Sequence, residues 1–276
     1  MRVETNFTKP IIQAYKKFGV LHVLIRGIEF SLLQTRFTTV FYWLIAPQIY
    51  QWWYSRPLQQ YDQSLRAFER RYINPKRVDQ LTPRGKPGSG VLKDIGSVID
   101  GSWDQKQCQS DRYSLLYAET IDDTLLYKAI KSRHETGVEW QETKFYRTVI
   151  RLIENDTTKW HGCSTLDEVD QRCKHVDYLY KDIKNNGYKT QDEIPDTSPS
   201  LDEPFGFMNQ YLMEITVDIT RDGNVLLVDG RHRLIIAQLL DLDRIPVTVI
   251  VRHKKWMKKL RQTTSMSEQE LLEKTA

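Results

Sequence analysis

The 276-residue chain is poor in cysteine: it has three, and no two stand in a Cys-x-x-Cys pair. An odd, scattered set does not build a disulfide framework and fits a reducing compartment. The chain shows no internal repeat and no low-complexity tract, which excludes solenoids and linkers of biased composition. Its 13 glycines, 10 prolines and 40% hydrophobic residues are ordinary for a globular protein and exclude a collagen-like or wholly disordered chain. It also lacks a clean apolar stretch followed by a small-residue cleavage site, so no secretory leader is expected. What remains is enough chain for one large domain or two small ones with a real core.

The net charge of +4 conceals an asymmetry. Residues 1–90 carry 14 Lys and Arg against 5 Asp and Glu, a surplus of nine positive charges; residues 91–276 carry 26 against 31, a deficit of five. A basic N-terminal third calls for an anionic partner, either a membrane surface or a nucleic acid. Ile11, Tyr15, Phe18, Leu21, Ile25, Ile28 and Leu32 recur at helical spacing. Eighteen residues without a charge follow, 37–54, including Phe37, Phe41, Tyr42, Trp43, Tyr50, Trp52, Trp53 and Tyr54. As a helix this run is roughly 27 Å long, close to a ~30 Å hydrocarbon core, but Pro47, Gln48, Gln51, Thr38 and Thr39 oppose a span. Dense Trp and Tyr suit the headgroup layer, so residues 9–54 are read as an anionic-membrane interface segment of a cytoplasmic, peripheral protein. Packing of the same stripe against the downstream domain stands beside that reading, and nucleic-acid stacking is a third.

Four regions are expected: a helical arm over 1–72, a linker or exposed loop over 73–90, a domain over 91–260 and a tail over 261–276. The linker expectation comes from the Pro, Gly and Lys/Arg mixture of residues 74–90. Beyond it, Ile95–Ile99 reads as a short strand running into Asp100 and Asp104. Thr120 can cap a helix that Gly137 stops, a second helix covers 142–155, and Ser164 or Thr165 opens a third that ends at Asn185-Asn186-Gly187. Leu166, Val169, Cys173, Val176, Leu179, Tyr180 and Ile183 share one face of that third helix. Residues 189–206 read as a loop.

The strongest pattern begins at Met213. Residues 214–220 alternate with period two, Asp222-Gly223 is a favoured hairpin turn, and Val225–Val228 returns as a buried strand. Asp229-Gly230-Arg231-His232-Arg233 follows directly, then a helix over 234–242 and a strand over 245–251. A strand, a glycine turn and a helix start with two guanidiniums make an anion cradle suited to polyphosphate.

At these residues the chain resembles the ParB/sulfiredoxin superfamily, whose signature is an apolar strand, a G-x-[HR]-R turn, a helix rich in Ala and Leu, and an I-P-V strand. The corresponding pieces are Leu226-Leu227-Val228, Gly230-Arg231-His232-Arg233, residues 234–242 and Ile245-Pro246-Val247. The close match covers about residues 175–253. The resemblance implies an α+β fold, a small mixed sheet with flanking helices, and binding of a nucleoside triphosphate (ATP or CTP) with Mg²⁺ at the turn. Sulfiredoxins need a cysteine where Arg231 stands, so their chemistry is not expected. Partition clamps carry a helix-turn-helix domain after the nucleotide domain, and the 23 residues after His253 do not supply one.

The kinase-like branch, with its D-G-x-H-R turn, is the nearest. It implies that Arg231, Arg233 and the Gly230 amide bind phosphates, that His232 donates to the transferring oxygen, and that Asp229 holds Mg²⁺ or fixes Arg233. It further implies a catalytic acid from the end of the first strand, Asp100 or Asp104. A phosphotransferase or NTPase is thus expected, with a non-catalytic nucleotide-gated binding module as the alternative and a nuclease as a weaker one. His161-x-Cys163 and Cys173-x-His175 have zinc-like spacing, but Cys173 falls on the inward helical stripe while His175 points elsewhere.

Overall fold

The computed structural model describes residues 36–84, 94–106, 120–155, 160–194, 211, 213–263 and 266–275, with side chains from residue 44 onward. The expected stripe over residues 11–32 lies outside them. The described chain is an α+β fold with a six-stranded mixed sheet: β1 (Arg70–Ile73), β2 (Gln80–Leu81), β3 (Ser97–Ile99), β4 (Ile215–Ile219), β5 (Val225–Asp229) and β6 (Ile245–His253). The strand order is β1-β6-β4-β5-β2, with β3 also pairing to β6. β4 and β5 form the expected antiparallel hairpin, and β4 runs parallel to the long central β6. The helices are α1 (Arg36–Gln59), α2 (Leu125–Glu135), α3 (Lys144–Glu154), α4 (Leu166–Asn186), α5 (Arg231–Leu239), α6 (Lys254–Gln262) and α7 (Glu268–Lys274).

Helix starts follow local capping chemistry. Thr165 accepts from the Glu168 amide and Glu168 reaches back, a capping box that opens α4, and Gly187 ends it with φ +78°. Val169, Cys173, Val176, Tyr180 and Ile183 of the expected face are buried, whereas Leu166 is exposed. α2 starts later than expected because Thr124, not Thr120, accepts from the Tyr127 amide.

Residues expected in the arm, linker and tail are woven into the sheet. β1 pairs antiparallel with β6, Arg71 opposite Val247, so the expected boundary at residue 72 falls inside a strand. β2 pairs with β5 within the expected linker, and Arg84 is held by Asp218. α1 docks through Ala46, Tyr50, Ser55 and Leu58, all buried, with Tyr54 edge-on to Phe68 at 5.6 Å and Ser55 Oγ accepting from the Ala67 amide. These residues belong to the core because they bury apolar area that a free arm would leave in water.

The polar half of β4 is buried too. Alternation predicts one wet face, yet Thr216, Asp218 and Thr220 are enclosed along with Ile215, Val217 and Ile219. Pairing of β4 with β6 slips between Val217 and Asp218. At this irregularity Asp218 Oδ1 accepts the Val251 amide at 3.1 Å, while Oδ2 accepts from Thr82 Oγ1 at 2.6 Å and Arg84 Nε at 2.8 Å. A side chain thus replaces the ladder acceptor that the bulge removes.

The expected tail forms α7, pinned by a buried ion triad. Glu268 accepts from Arg71 Nε at 2.9 Å, Arg252 Nε at 2.6 Å and Arg252 Nη2 at 2.8 Å. Gln269 exchanges hydrogen bonds with the Tyr72 amide and carbonyl, which covers the edge of β1. Burial raises the Glu268 carboxyl, but Arg252 and Arg71 overcome it and bring it from 4.5 down to about 2. With the folded value below the unfolded one, this stabilisation is complete above about pH 4.5 and is lost as pH falls toward 2. Glu268→Gln, which leaves buried Arg252 without its counter-charge and Arg71 with Glu69 alone, is expected to destabilise by about 3 kcal/mol or more at pH 7. The deficit should shrink on acidification, measured by urea unfolding at pH 7 and pH 3; an equal deficit at both would refute the assignment.

Candidate anion site at the start of α5

β5 delivers the chain to Asp229, and Gly230 turns it into α5 with φ +91° and ψ 23°. A Cβ here would lie 2.8 Å from Ile215 Cα on the neighbouring strand. Both the left-handed backbone and the close approach to β4 therefore require glycine. Gly230 supplies no side-chain cap, so the amides of the first turn of α5 are left to whatever lies above them. Leu234, Ile235, Ile236 and Ala237 are buried and fix the helix beneath.

The five residues of the turn have divided roles. Asp229 is exposed and accepts its neighbour's amide, Gly230 N to Oδ1 at 2.8 Å, so the amide expected on phosphate is already taken. Arg233 is committed inward. Its Nη1 donates to Glu214 Oε2 at 3.2 Å and to the Met213 carbonyl, its Nη2 donates to the Lys189 carbonyl at 2.7 Å, and its guanidinium lies 4.4 Å from the Tyr188 ring centroid. His232 is buried, with its Nε2 making no hydrogen bond among the described residues. Burial, then the charges of nearby basic groups, pushes its imidazole well below the ordinary value, so it is neutral. Arg231 is the half-buried cation of the turn.

Asp100 and Asp104 are elsewhere. Asp104 chelates Arg221 with contacts from 2.6 to 3.1 Å and also accepts the Arg221 amide. Asp100 pairs with Lys254 at 3.1 Å. Arg221 sits at the hairpin end of β4, whereas Asp229 pairs with Thr216 at the other end. Five residues separate Thr216 from Arg221, which is roughly 15 Å of extended chain. The two aspartates therefore do not meet the turn, and their expected catalytic role there is withdrawn.

Beside the turn the fold gathers residues that local pattern did not connect. His161, in left-handed backbone at φ 51°, is followed by Gly162 and Cys163 and faces α4. These residues line an open cleft of about 380 Å³ with Glu168, Gln171, Arg172 and His175. Arg172 Nη2 lies 3.4 Å from His161 Nδ1. The His161 ring is 5.1 Å from that of His232, which in turn meets Trp160 at 5.9 Å. Burial first, then Arg172 and Arg231, lower His161 to about 4. The cluster thus has neutral imidazoles and two permanent guanidinium charges. Arg172 was missed by the sequence reading, and no local signal marks it.

The zinc-like spacing does not close into a centre. Among the described residues no group of three or more His, Cys, Asp or Glu is arranged to hold a metal ion. Cys163 and Cys173 are buried free thiols, with Cys173 pushed up to about 12 chiefly by burial. Trp140 and Tyr146 donate to Asp177 and Asp170 in the helical layer. Comparison with family models, curated proteins and solved structures returned no match.

Gly230→Ala is expected to lose about 1–2 kcal/mol from the left-handed backbone alone, and more from the contact with Ile215. Denaturant titration against a control such as Gly137→Ala, where an added Cβ meets nothing within 4 Å, checks the difference. Equal losses would mean that the approach to Ile215 is unimportant.

Proposed function

We propose that the chain is a nucleotide-binding protein of the ParB/sulfiredoxin-like kind, closest to its kinase-like branch, and that the turn at 229–233 holds the phosphates of a nucleoside triphosphate. The observation that carries this reading is the first turn of α5, which has no side-chain cap from Gly230 and bears Arg231. Helix amides and a guanidinium together favour a multiply charged oxyanion. Asp229 Oδ1 is engaged by the Gly230 amide, and the second oxygen of this exposed carboxylate suits Mg²⁺. One carboxylate plus phosphate oxygens and water is the usual donor set for that ion. Bound there, Mg²⁺ would neutralise charge on the phosphates.

Phosphoryl transfer or hydrolysis then depends on Arg231 for charge stabilisation and on Asp229 as the carboxylate adjoining the turn. His232 is neutral and enclosed; its part is to fix the floor of the site. Withdrawal of Asp100 and Asp104 from the turn favours one further reading, a nucleotide-gated binding module without turnover. A panel of ATP, CTP and GTP with Mg²⁺, followed for binding and for hydrolysis, separates the two. One nucleotide is expected to bind, and Arg231→Ala to weaken it by about tenfold or more, the worth of a charged hydrogen bond, with an unchanged thermal midpoint. Unaltered binding in the variant, or silence across the panel, would sink the proposal.

We further propose that α1 rests on an anionic lipid surface. Among the described residues no helix is long and apolar enough to cross a membrane. α1 nevertheless leaves Leu44, Ile49, Trp52 and Trp53 exposed, the last two with Arg56 at 5.1 and 5.6 Å from their rings. Exposed tryptophans beside an arginine suit the headgroup layer. Full-length protein is expected to co-sediment with vesicles containing phosphatidylserine, and Trp52→Ala/Trp53→Ala to lower the bound fraction severalfold. Equal sedimentation of both proteins, or binding to single-stranded nucleic acid with a steep salt dependence in place of vesicles, would overturn it.

A further inference from the structure

We infer that the cleft between the Trp160–Gly162 turn and α4 is a second oxyanion subsite, distinct from the phosphate turn, and that it seats a phosphoryl group carried by the acceptor molecule. The assignment of donor to turn and acceptor to cleft rests on the nucleotide reading; the existence of the subsite does not.

Two observations converge on it. Arg172 lines the cleft, forms no ion pair among the described residues, and has a buried Nε with no hydrogen-bond partner there. The acidic residue of the lining, Glu168, is occupied: its Oε2 accepts from the Ser164 amide at 2.6 Å, Ser164 Oγ at 3.0 Å and the Thr165 amide at 3.1 Å. A guanidinium half enclosed without a carboxylate calls for an anion from outside. Second, an arginine can only donate, so His161 Nδ1 accepts from Arg172 and the ring proton sits on Nε2. Arg172 thereby makes His161 a neutral donor on the cleft wall. His175 adds a further imidazole to the lining. A guanidinium with imidazole donors beside it favours a multiply charged phosphoryl group over a singly charged carboxylate.

The implied substrate is a phosphomonoester, so a nucleotide at the turn would face a second, already charged molecule. The test is titration calorimetry of the full-length protein with inorganic phosphate, alone and with saturating nucleotide, and with acetate as the carboxylate arm. Phosphate is expected to bind in both states, and acetate in neither. Arg172→Ala should weaken phosphate by about tenfold or more with little change in nucleotide affinity. His175→Glu, at an exposed helical position, should weaken it without disturbing the fold. Arg231→Ala should spare it. Displacement of phosphate by nucleotide would leave one anion site and overturn the inference, as would acetate binding equally or indifference to both cleft variants. Should no nucleotide bind, the proposed function fails while the contrast between Arg172→Ala and Arg231→Ala still decides the subsite.

Discussion

β4 is covered on both faces, and a carboxylate enclosed on such a strand must find its cations inside the protein. Glu214 and Asp218, four residues apart in the alternating pattern, both obey this constraint. Glu214 takes Arg233 at 3.2 Å and Arg70 at 3.3 Å, and Asp218 takes Arg84 and Thr82. Burial nonetheless pushes both carboxyls above their ordinary values, a measure of how strongly solvent is excluded. These pairs join β1, the chain after β2 and the start of α5 to one strand. They also decide what the turn can offer. Once Glu214 holds Arg233, one of the two guanidiniums of the turn is committed to the fold.

The elements that were legible in the sequence are those that local physics determines. The hairpin at 222–223, the strand before Asp229, the capping box at Thr165 and the stop at Gly187 each depend on residues within a few positions. The fate of Arg233 was not legible, because its acceptors at Glu214 and Lys189 come from separate segments brought together by the sheet and the chain after α4. Asp104 shows the same limit: its partner Arg221 is set by the β3–β6 pairing, which places the end of β3 beside the hairpin turn rather than beside Asp229. Strand register across long sequence separations, not residue type, determines which charges meet. Within the expected linker over 73–90, the prolines and glycines do not prevent two residues at 80–81 from pairing with β5.

His161 and Arg172 illustrate a second kind of hidden information. His161-x-Cys163 and Cys173-x-His175 have the short imidazole and thiol spacing of zinc sites. Arg172 beside His161 tells against one, because a permanent cation next to the imidazole disfavours both its protonation and a nearby metal ion. The same charge that discourages a cation recommends an anion. Electrostatics therefore sorts between two ligand classes that the sequence motif alone leaves equal.

The charge asymmetry along the chain takes on a different meaning in this light. Read linearly, a surplus of nine positive charges in residues 1–90 and a deficit of five thereafter suggest a basic arm reaching for an external anion. Yet Arg70 pairs with Asp192 and Glu214, Arg71 with Glu268, Lys76 with Asp241, and Arg84 with Asp94 and Asp218. All of those acids lie in the acidic remainder of the chain, although Arg71 also pairs with Glu69 of its own segment at 3.0 Å. Part of the asymmetry is thus internal fastening, in which a basic segment is stitched to the domain it precedes. Among the described residues before 91, Arg56 and Arg66 are exposed without a carboxylate partner: Arg66 donates to the Gln63 and Leu65 carbonyls, and Arg56 lies against the exposed Trp52 and Trp53. The lipid attachment proposed for α1 would therefore depend on aromatic burial in the headgroup layer at least as much as on net charge, so added salt should weaken it less than a linear charge count implies.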